Sequence, residues 1–410
     1  MKRTAVALVS LLALNLFVQP PVRAAERYTV DQLIAMALSS NALLGAVRTD
    51  IDISQAEAVI AGAYPNPEIE IMGGERTARG PALTPGSTQS FAFSQRLDYP
   101  SQREARREVA SAGISIARAS AQTFEVELVT RLKQGFYAVI RHESELRAAR
   151  EDLDLAQAIR DRVEVRVQVG EAPRYELIRA DTELQNAQKN ADSAALRLAQ
   201  AKLRLRSVVG SALPERFDVD GSLVEELKLP GIDQLRQRML ERNPELARLR
   251  AEVERSRRVL ELENLRRMPD VSLKLARDRD PEYEAHRIGL AVSIPLFDRR
   301  QGQIAQAGAL SERSRIALQG RIFELEQFLD AAYRQYELSR TQVAALESGI
   351  VRQAEAALRV AEAAYRFGER GILDVLDAQR VFRAARNELI SARYELMSAL
   401  AEIERISPAP

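Results

Sequence analysis

Along the C-terminal half of the chain, apolar residues recur at Leu318, Ile322, Leu325, Leu329, Ala332 and Tyr336. They continue at Val343, Leu346, Ile350, Ala354, Ala357, Ala361 and Ala364. The average step is about 3.5 residues, the coiled-coil period rather than 3.6. No proline falls within 301–367, so the pattern predicts one long helix there. The seam is expected to break near Ser339, and its knobs shrink to alanine toward Gly368. Residues 101–168 also lack proline and predict a second long helix. At about 1.5 Å per residue, each reaches on the order of 100 Å. Shorter helices are predicted over 174–208 and 372–406. The second keeps a seam through Val375, Phe382, Ala385, Leu389, Ala392, Leu396 and Ile403. Helices over 30–61 and 232–267 precede the long ones.

Between the helices the period switches to two. Residues 68–72 and 90–94 predict a hairpin within 67–98, and residues 271–275 and 288–294 predict another within 269–297. Phe91, Phe93, Val271, Leu273, Leu275, Ile288, Leu290, Val292 and Ile294 all fall on one face. Their neighbours on the other face are Ser, Ala, Gly, Lys or Glu. Tyr99 and Phe297 close the two hairpins.

The order of elements occurs twice. Gly170-Glu171-Ala172-Pro173-Arg174-Tyr175-Glu176-Leu177 is answered by Gly368-Glu369-Arg370-Gly371-Ile372-Leu373-Asp374-Val375. Asn41 corresponds to Asn243 and Pro67 to Pro269, which divides the mature chain into structural repeats over 25–210 and 211–410. Tip turns at 169–173 and 368–371 connect each long helix to its return helix.

Composition narrows the possibilities. Lys2 and Arg3, an apolar run over 5–18 and small residues around Ala24 predict an export signal peptide over 1–24. The chain has no cysteine, and its 59 basic and 58 acidic residues balance, which gives no case for nucleic acid. The two histidines, His142 and His286, are far apart in sequence, and no metal site is expected. There is no phosphate loop, nucleophile elbow or zinc-protease motif, so neither an enzyme nor a cofactor is expected.

A strand pair with an apolar outside and a polar inside fits an outer-membrane barrel. Four strands cannot close one, and open edges are not tolerated in lipid. If the hairpins lie in a membrane, several chains must share a barrel. The alternative is a soluble periplasmic coiled-coil scaffold in which the hairpins form a small sheet.

The chain resembles the TolC-like outer membrane efflux proteins, and within them the CzcC-like components of cobalt-zinc-cadmium efflux. The matching stretches are Tyr64-Pro65-Asn66-Pro67, Ile294-Pro295-Leu296-Phe297-Asp298-Arg299-Arg300-Gln301-Gly302, and the Gly368 turn followed by Leu373-Asp374-Val375-Leu376-Asp377-Ala378. The resemblance implies a mainly α, tandem-duplicated fold. It would be a homotrimer in outer-membrane lipid, with a shared 12-stranded β-barrel above a periplasmic α-barrel. It implies an exit duct for heavy-metal cations, working with a periplasmic adaptor and an inner-membrane RND pump; a duct for drugs or other organic solutes is the alternative. It places Gly170 and Gly368 at adaptor-docking tips and Asp374 and Asp377 at the pore constriction. Tyr365, Arg370 and Glu176 then become gate-closing contacts, with Arg370 and Tyr365 expected to pair with Glu176.

Overall fold

The computed structural model describes residues 26–77, 80, 84–223 and 229–409; the expected signal peptide over 1–24 lies outside them. The first repeat runs β1 (Glu26–Tyr28), α1 (Val30–Ser40), α2 (Ala42–Gly62), β2 (Glu68–Arg76), β3 (Gly86–Leu97), α3 (Pro100–Gln168) and α4 (Arg174–Val209). The second runs β4 (Phe217–Val219), α5 (Ile232–Arg242), α6 (Pro244–Leu265), β5 (Asp270–Arg279), β6 (Glu284–Ser293), α7 (Gln301–Ala345), a π-helical turn (Leu346–Ile350), α8 (Val351–Arg366) and α9 (Ile372–Ile406).

The helices expected over 30–61 and 232–267 are each two helices. The breaks fall at Asn41 and Asn243, whose backbones are extended. Each asparagine caps the helix that follows it: Asn41 Oδ1 accepts from Leu44 N at 3.0 Å and Asn243 Oδ1 from Leu246 N at 3.1 Å. Each also reaches across to the end of its own repeat's return helix. Asn41 Nδ2 donates to the Val208 carbonyl and Asn243 Nδ2 to the Ile406 carbonyl, both at 2.9 Å. One side chain thus serves the orphan groups of two helix ends.

α3 is 69 residues long and forms the spine of the subunit. Its upper part packs on α2 and α6, where Arg48 pairs with Glu125 and Arg258 with Glu108. Its lower part packs on α4 and α9, where Arg160 pairs with Asp181 and Arg386 with Asp152. Midway, Leu128, Leu132 and Phe136 of α3 join Leu33, Leu205, Leu235, Met239, Leu325 and Ile403 in the largest core. Capping this belt, β1 and β4 pair in parallel, Glu26 opposite Phe217 and Tyr28 opposite Val219. At three residues each, they are too short for a periodicity to reveal.

The seam of the second long helix departs from expectation. Ser339 does not break it but sits inside it, fully buried, accepting a hydrogen bond from Gln335 at 3.3 Å. The break comes lower, at the π turn, where an extra residue enters the helix. Below it Ala354 is buried where the pattern predicts, and farther down the buried positions fall one residue later. Leu358 and Tyr365 face inward, while Ala357 is exposed and Ala364 half-buried. Ile350, expected in the seam, is 50% exposed.

The hairpins merge into one antiparallel sheet in the order β2-β3-β5-β6. Its register aligns Ile69, Phe93, Leu275 and Ile288 in one row, and Val271 with Val292 and Leu97 in another. One face is thus apolar across all four strands. The other carries Glu68, Glu70, Ser94, Arg96, Ser272 and Lys274. Among the described residues β2 and β6 are edges without a neighbouring strand.

Asn243→Ala should destabilise the folded chain by about 2–4 kcal/mol, combining a lost cap with an unpaired buried carbonyl. The urea midpoint of the refolded protein measures this; a change below about 0.5 kcal/mol would mean that the helix ends hold without the asparagine.

Candidate functional site

The end of the subunit farthest from the sheet is made by the two turns the sequence repeats. Gly170 (φ 81°) and Gly368 (φ 74°) both take the left-handed conformation that glycine adopts without penalty. Each ends its helix with the same pair of hydrogen bonds. Gly170 N donates to Val167 O at 3.1 Å and Glu171 N to Arg166 O at 2.8 Å. Gly368 N donates to Tyr365 O at 3.1 Å and Glu369 N to Ala364 O at 2.9 Å. This is the Schellman arrangement, in which two orphan carbonyls are satisfied and the chain reverses within a few residues. Pro173 and Gly371 then open α4 and α9.

Above the turns, the two helical hairpins share a small core of Ile159, Val163, Ala180, Leu358, Tyr365, Ile372 and Val375. Tyr365 is only 3% exposed, and the guanidinium of Arg166 lies 5.0 Å from its ring centroid. Its hydroxyl is buried without a hydrogen-bond partner, and so is Oε2 of Glu176 in the first turn of α4. Gln379, one turn below Phe382, is fully buried with both amide atoms unpartnered.

Within one chain the ion pairs at the tip differ from the expected set. Arg370, in the tip turn, lies 3.7 Å from Asp374 in the first turn of α9 instead of pairing with Glu176. The turn leads into α9 just after Arg370 and brings these two together, whereas Glu176 stands on the other hairpin. Asp377 is likewise held by Arg380, at 2.6 Å. Both carboxylates are about half exposed or more, 48% for Asp374 and 65% for Asp377, and each has a cation beside it. Arg380 is not among the expected site residues; its position three residues after Asp377 on a helix is the signal the sequence carries for it.

Higher up, α3, α4 and α9 enclose a polar groove of about 820 Å³ whose walls include Arg141, His142, Glu145, Asp152, Glu183 and Arg383. His142 Nδ1 lies 2.9 Å from Glu145 Oε2. Burial alone would raise the pKa of Glu145, but hydrogen bonds from Arg141 and His142 bring it below the usual carboxylate range. Asp152 goes the other way: burial raises it despite the nearby Arg386 and Arg383. Among the described residues no group of three or more His, Cys, Asp or Glu side chains is placed to hold a metal ion. His286 lies on β6, remote from His142 on α3.

The model of the outer membrane efflux protein family matches residues 33–211 and again 235–407, once over each repeat. The chain belongs to the outer membrane efflux protein family. It is 26% identical over 388 residues to the cobalt-zinc-cadmium resistance protein CzcC of Cupriavidus metallidurans, covering 94% of this chain and 91% of that one. It is also 24% identical to the pyoverdine export outer membrane protein OpmQ of Pseudomonas putida, over 91% of this chain and 84% of the relative. Among solved structures it superposes on the CusC channel with a TM-score of 0.81 at 19% identity, covering 93% and 92% of the two chains. The outer-membrane channel OprN gives 0.80 at 17%, over 93% and 90%. The fold is therefore that of the TolC-like channels, and the protein is an outer-membrane efflux channel with its helices in the periplasm. Family membership sets aside the soluble-scaffold alternative, and the sheet agrees: Ile69, Ile71, Ile288, Leu290 and Ile294 are each more than 60% exposed along one apolar face.

Because the Tyr365 hydroxyl has no hydrogen-bond partner among the described residues, Tyr365→Phe should leave the unfolding midpoint of the isolated chain unchanged or slightly higher. The ring and its contact with Arg166 survive the change. A loss above about 1 kcal/mol would require a hydrogen bond to that hydroxyl.

Proposed function

We propose that this efflux channel is the homotrimeric exit duct of a tripartite system, joined to a periplasmic adaptor and an inner-membrane RND pump, and that it exports heavy-metal cations. The observation that carries the trimeric duct is the sheet: one apolar face, one polar face and two unpaired edges. β2 and β6 run in opposite directions, so the β6 of one chain can pair antiparallel with the β2 of the next. Three chains give a 12-stranded barrel with its polar face inward. Two would give about 8 strands, a lumen filled by side chains. Supporting the metal cargo is the 26% identity to CzcC over nearly the whole chain. The similarity to OpmQ favours the second reading, a duct for organic solutes such as siderophores.

At the tip, the reading assigns Asp374 and Asp377 to the constriction, six carboxylates around the trimer axis. Their neighbours Arg370 and Arg380 temper the cation preference such a ring would otherwise have. The gate contacts are proposed to run between protomers: the buried, unpartnered atoms of Tyr365 and Glu176 lack only the partners that a neighbouring chain can bring. Arg370 would exchange Asp374 for Glu176 across that boundary. Gly170 and Gly368, with exposed Val169 (64%) and Phe367 (77%) beside them, offer the adaptor an apolar docking surface.

Deletion of the gene with growth on zinc, cobalt and cadmium against a panel of drugs and siderophores tests the cargo. Sensitivity to organic compounds alone would replace the metal reading. Native mass spectrometry of the detergent-extracted protein must find three chains.

In planar bilayers, Asp374→Asn with Asp377→Asn should lower the cation-to-anion permeability ratio several-fold; an unchanged reversal potential would remove these residues from the pore. In the same bilayers Arg370→Ala should raise the resting conductance, and unchanged current would remove the lock.

A further inference from the structure

The lipid-facing surface of the sheet changes character at one level. Its rows read Ile69, Phe93, Leu275 and Ile288, then Ile71, Phe91, Arg277 and His286, then Gly73, Gln89, Arg279 and Glu284. The last two rows lie toward the end remote from the helices, the outer side of the membrane. Three rows of this face, from Leu97, Val271 and Val292 to Ile69, Phe93, Leu275 and Ile288, are apolar but for Gln95, a rise of about 13 Å along β5. Arg277, Arg279 and His286 stand beyond them, beside the turn between β5 and β6 at the outer end of the sheet. At the opposite end the same face closes with Leu97, Val271 and Val292.

The charges in this cluster do not balance. Glu284 accepts a hydrogen bond from Arg277 Nε at 2.7 Å and lies 3.5 Å from His286 Nε2. Arg279 has no ion pair among the described residues. One carboxylate therefore faces two arginines and a histidine. Directly beneath, a groove of about 350 Å³ is lined by Phe91, Leu275, Arg277, His286 and Ile288, apolar below and cationic above.

We propose that this surface binds a phosphate-bearing, multiply acylated glycolipid of the outer leaflet. Arg277 and Arg279 hold the phosphate, His286 flanks it, and Phe91, Leu275 and Ile288 seat an acyl chain. A guanidinium at the edge of hydrocarbon is stabilised by an anion, and two parallel N–H donors match phosphate oxygens. The vertical order of cation over apolar groove is the order of headgroup over chain. The site lies on the outward face, so pairing of β6 with a neighbouring chain leaves it facing lipid, and it does not depend on the identity of the cargo.

The test is native mass spectrometry of the delipidated full-length protein titrated with diphosphorylated lipid A. The same titration is run with phosphatase-treated lipid A and with phosphatidylglycerol. Wild type should bind the phosphorylated lipid about tenfold more tightly than either. The Arg277→Gln, Arg279→Gln double variant should lose that margin, while Arg96→Gln, on the opposite face, should keep it. Equal binding of treated and untreated lipid A by wild type would overturn the phosphate contact, whether or not the double variant folds. Phosphatidylglycerol binding as tightly as lipid A would overturn the glycolipid assignment, and a double variant that binds like wild type would overturn the site.

Discussion

A β-sheet in lipid must have no free edge, because an unpaired N–H or C=O in hydrocarbon costs several kcal/mol and a strand edge presents a row of them. This chain supplies four strands with a continuous apolar face and two open edges. The rest of the architecture follows from that shortage. In the proposed trimer the strands are completed by other copies, and each subunit's helices stand side by side around a common axis. Long helices become useful here in a way they are not in a compact monomer: they extend the barrel's walls without needing a thick core of their own.

The duplication reduces the problem of building such a wall to two equivalent units with shared joints. Asn41 and Asn243 show how closely the units agree. Each caps one helix and holds the end of another, at the level where the shorter helices meet end to end beside a long one. The turns at Gly170 and Gly368 agree as well, each closed by the same two hydrogen bonds from the glycine and the residue after it. The copies diverge in side chains. The second carries two Asp–Arg pairs in its first turns, while Glu176 in the first has a buried oxygen without a partner. A backbone joint is constrained by geometry, whereas an exposed side chain in the first turn of a helix is free to change with little effect on folding.

Buried polar atoms without a hydrogen-bond partner collect near the tip, on Tyr365, Glu176 and Gln379. Buried polar groups without partners are uncommon in stable cores. In the proposed trimer they have a reason to exist, since a gate requires groups whose best partners depend on which state the neighbouring chains adopt. The sheet end of the molecule has a counterpart in Arg279, which has no ion pair among the described residues.

Much of this was legible along the chain. Helical period, the proline-free stretches, the strand alternation and the repeated glycine turn depend on neighbours a few residues away, so spacing alone recovers them. The apolar face of the sheet could likewise be read from each strand, because its period is two wherever the strand pairs. Three things were not legible. Beyond Ala354 the seam shifts by one residue, with Leu358 and Tyr365 inside in place of Ala357 and Ala364; an apolar stripe that tolerates alanine carries no mark of such a shift. The β1–β4 pair joins segments about 190 residues apart and too short to carry a period. Within one chain the carboxylate that the fold places within reach of Arg370 is Asp374, in the helix that follows it, rather than Glu176 on the other hairpin. Local repetition is written in the sequence, but the choice among several equally charged or equally apolar neighbours is made only when the helices are set against one another.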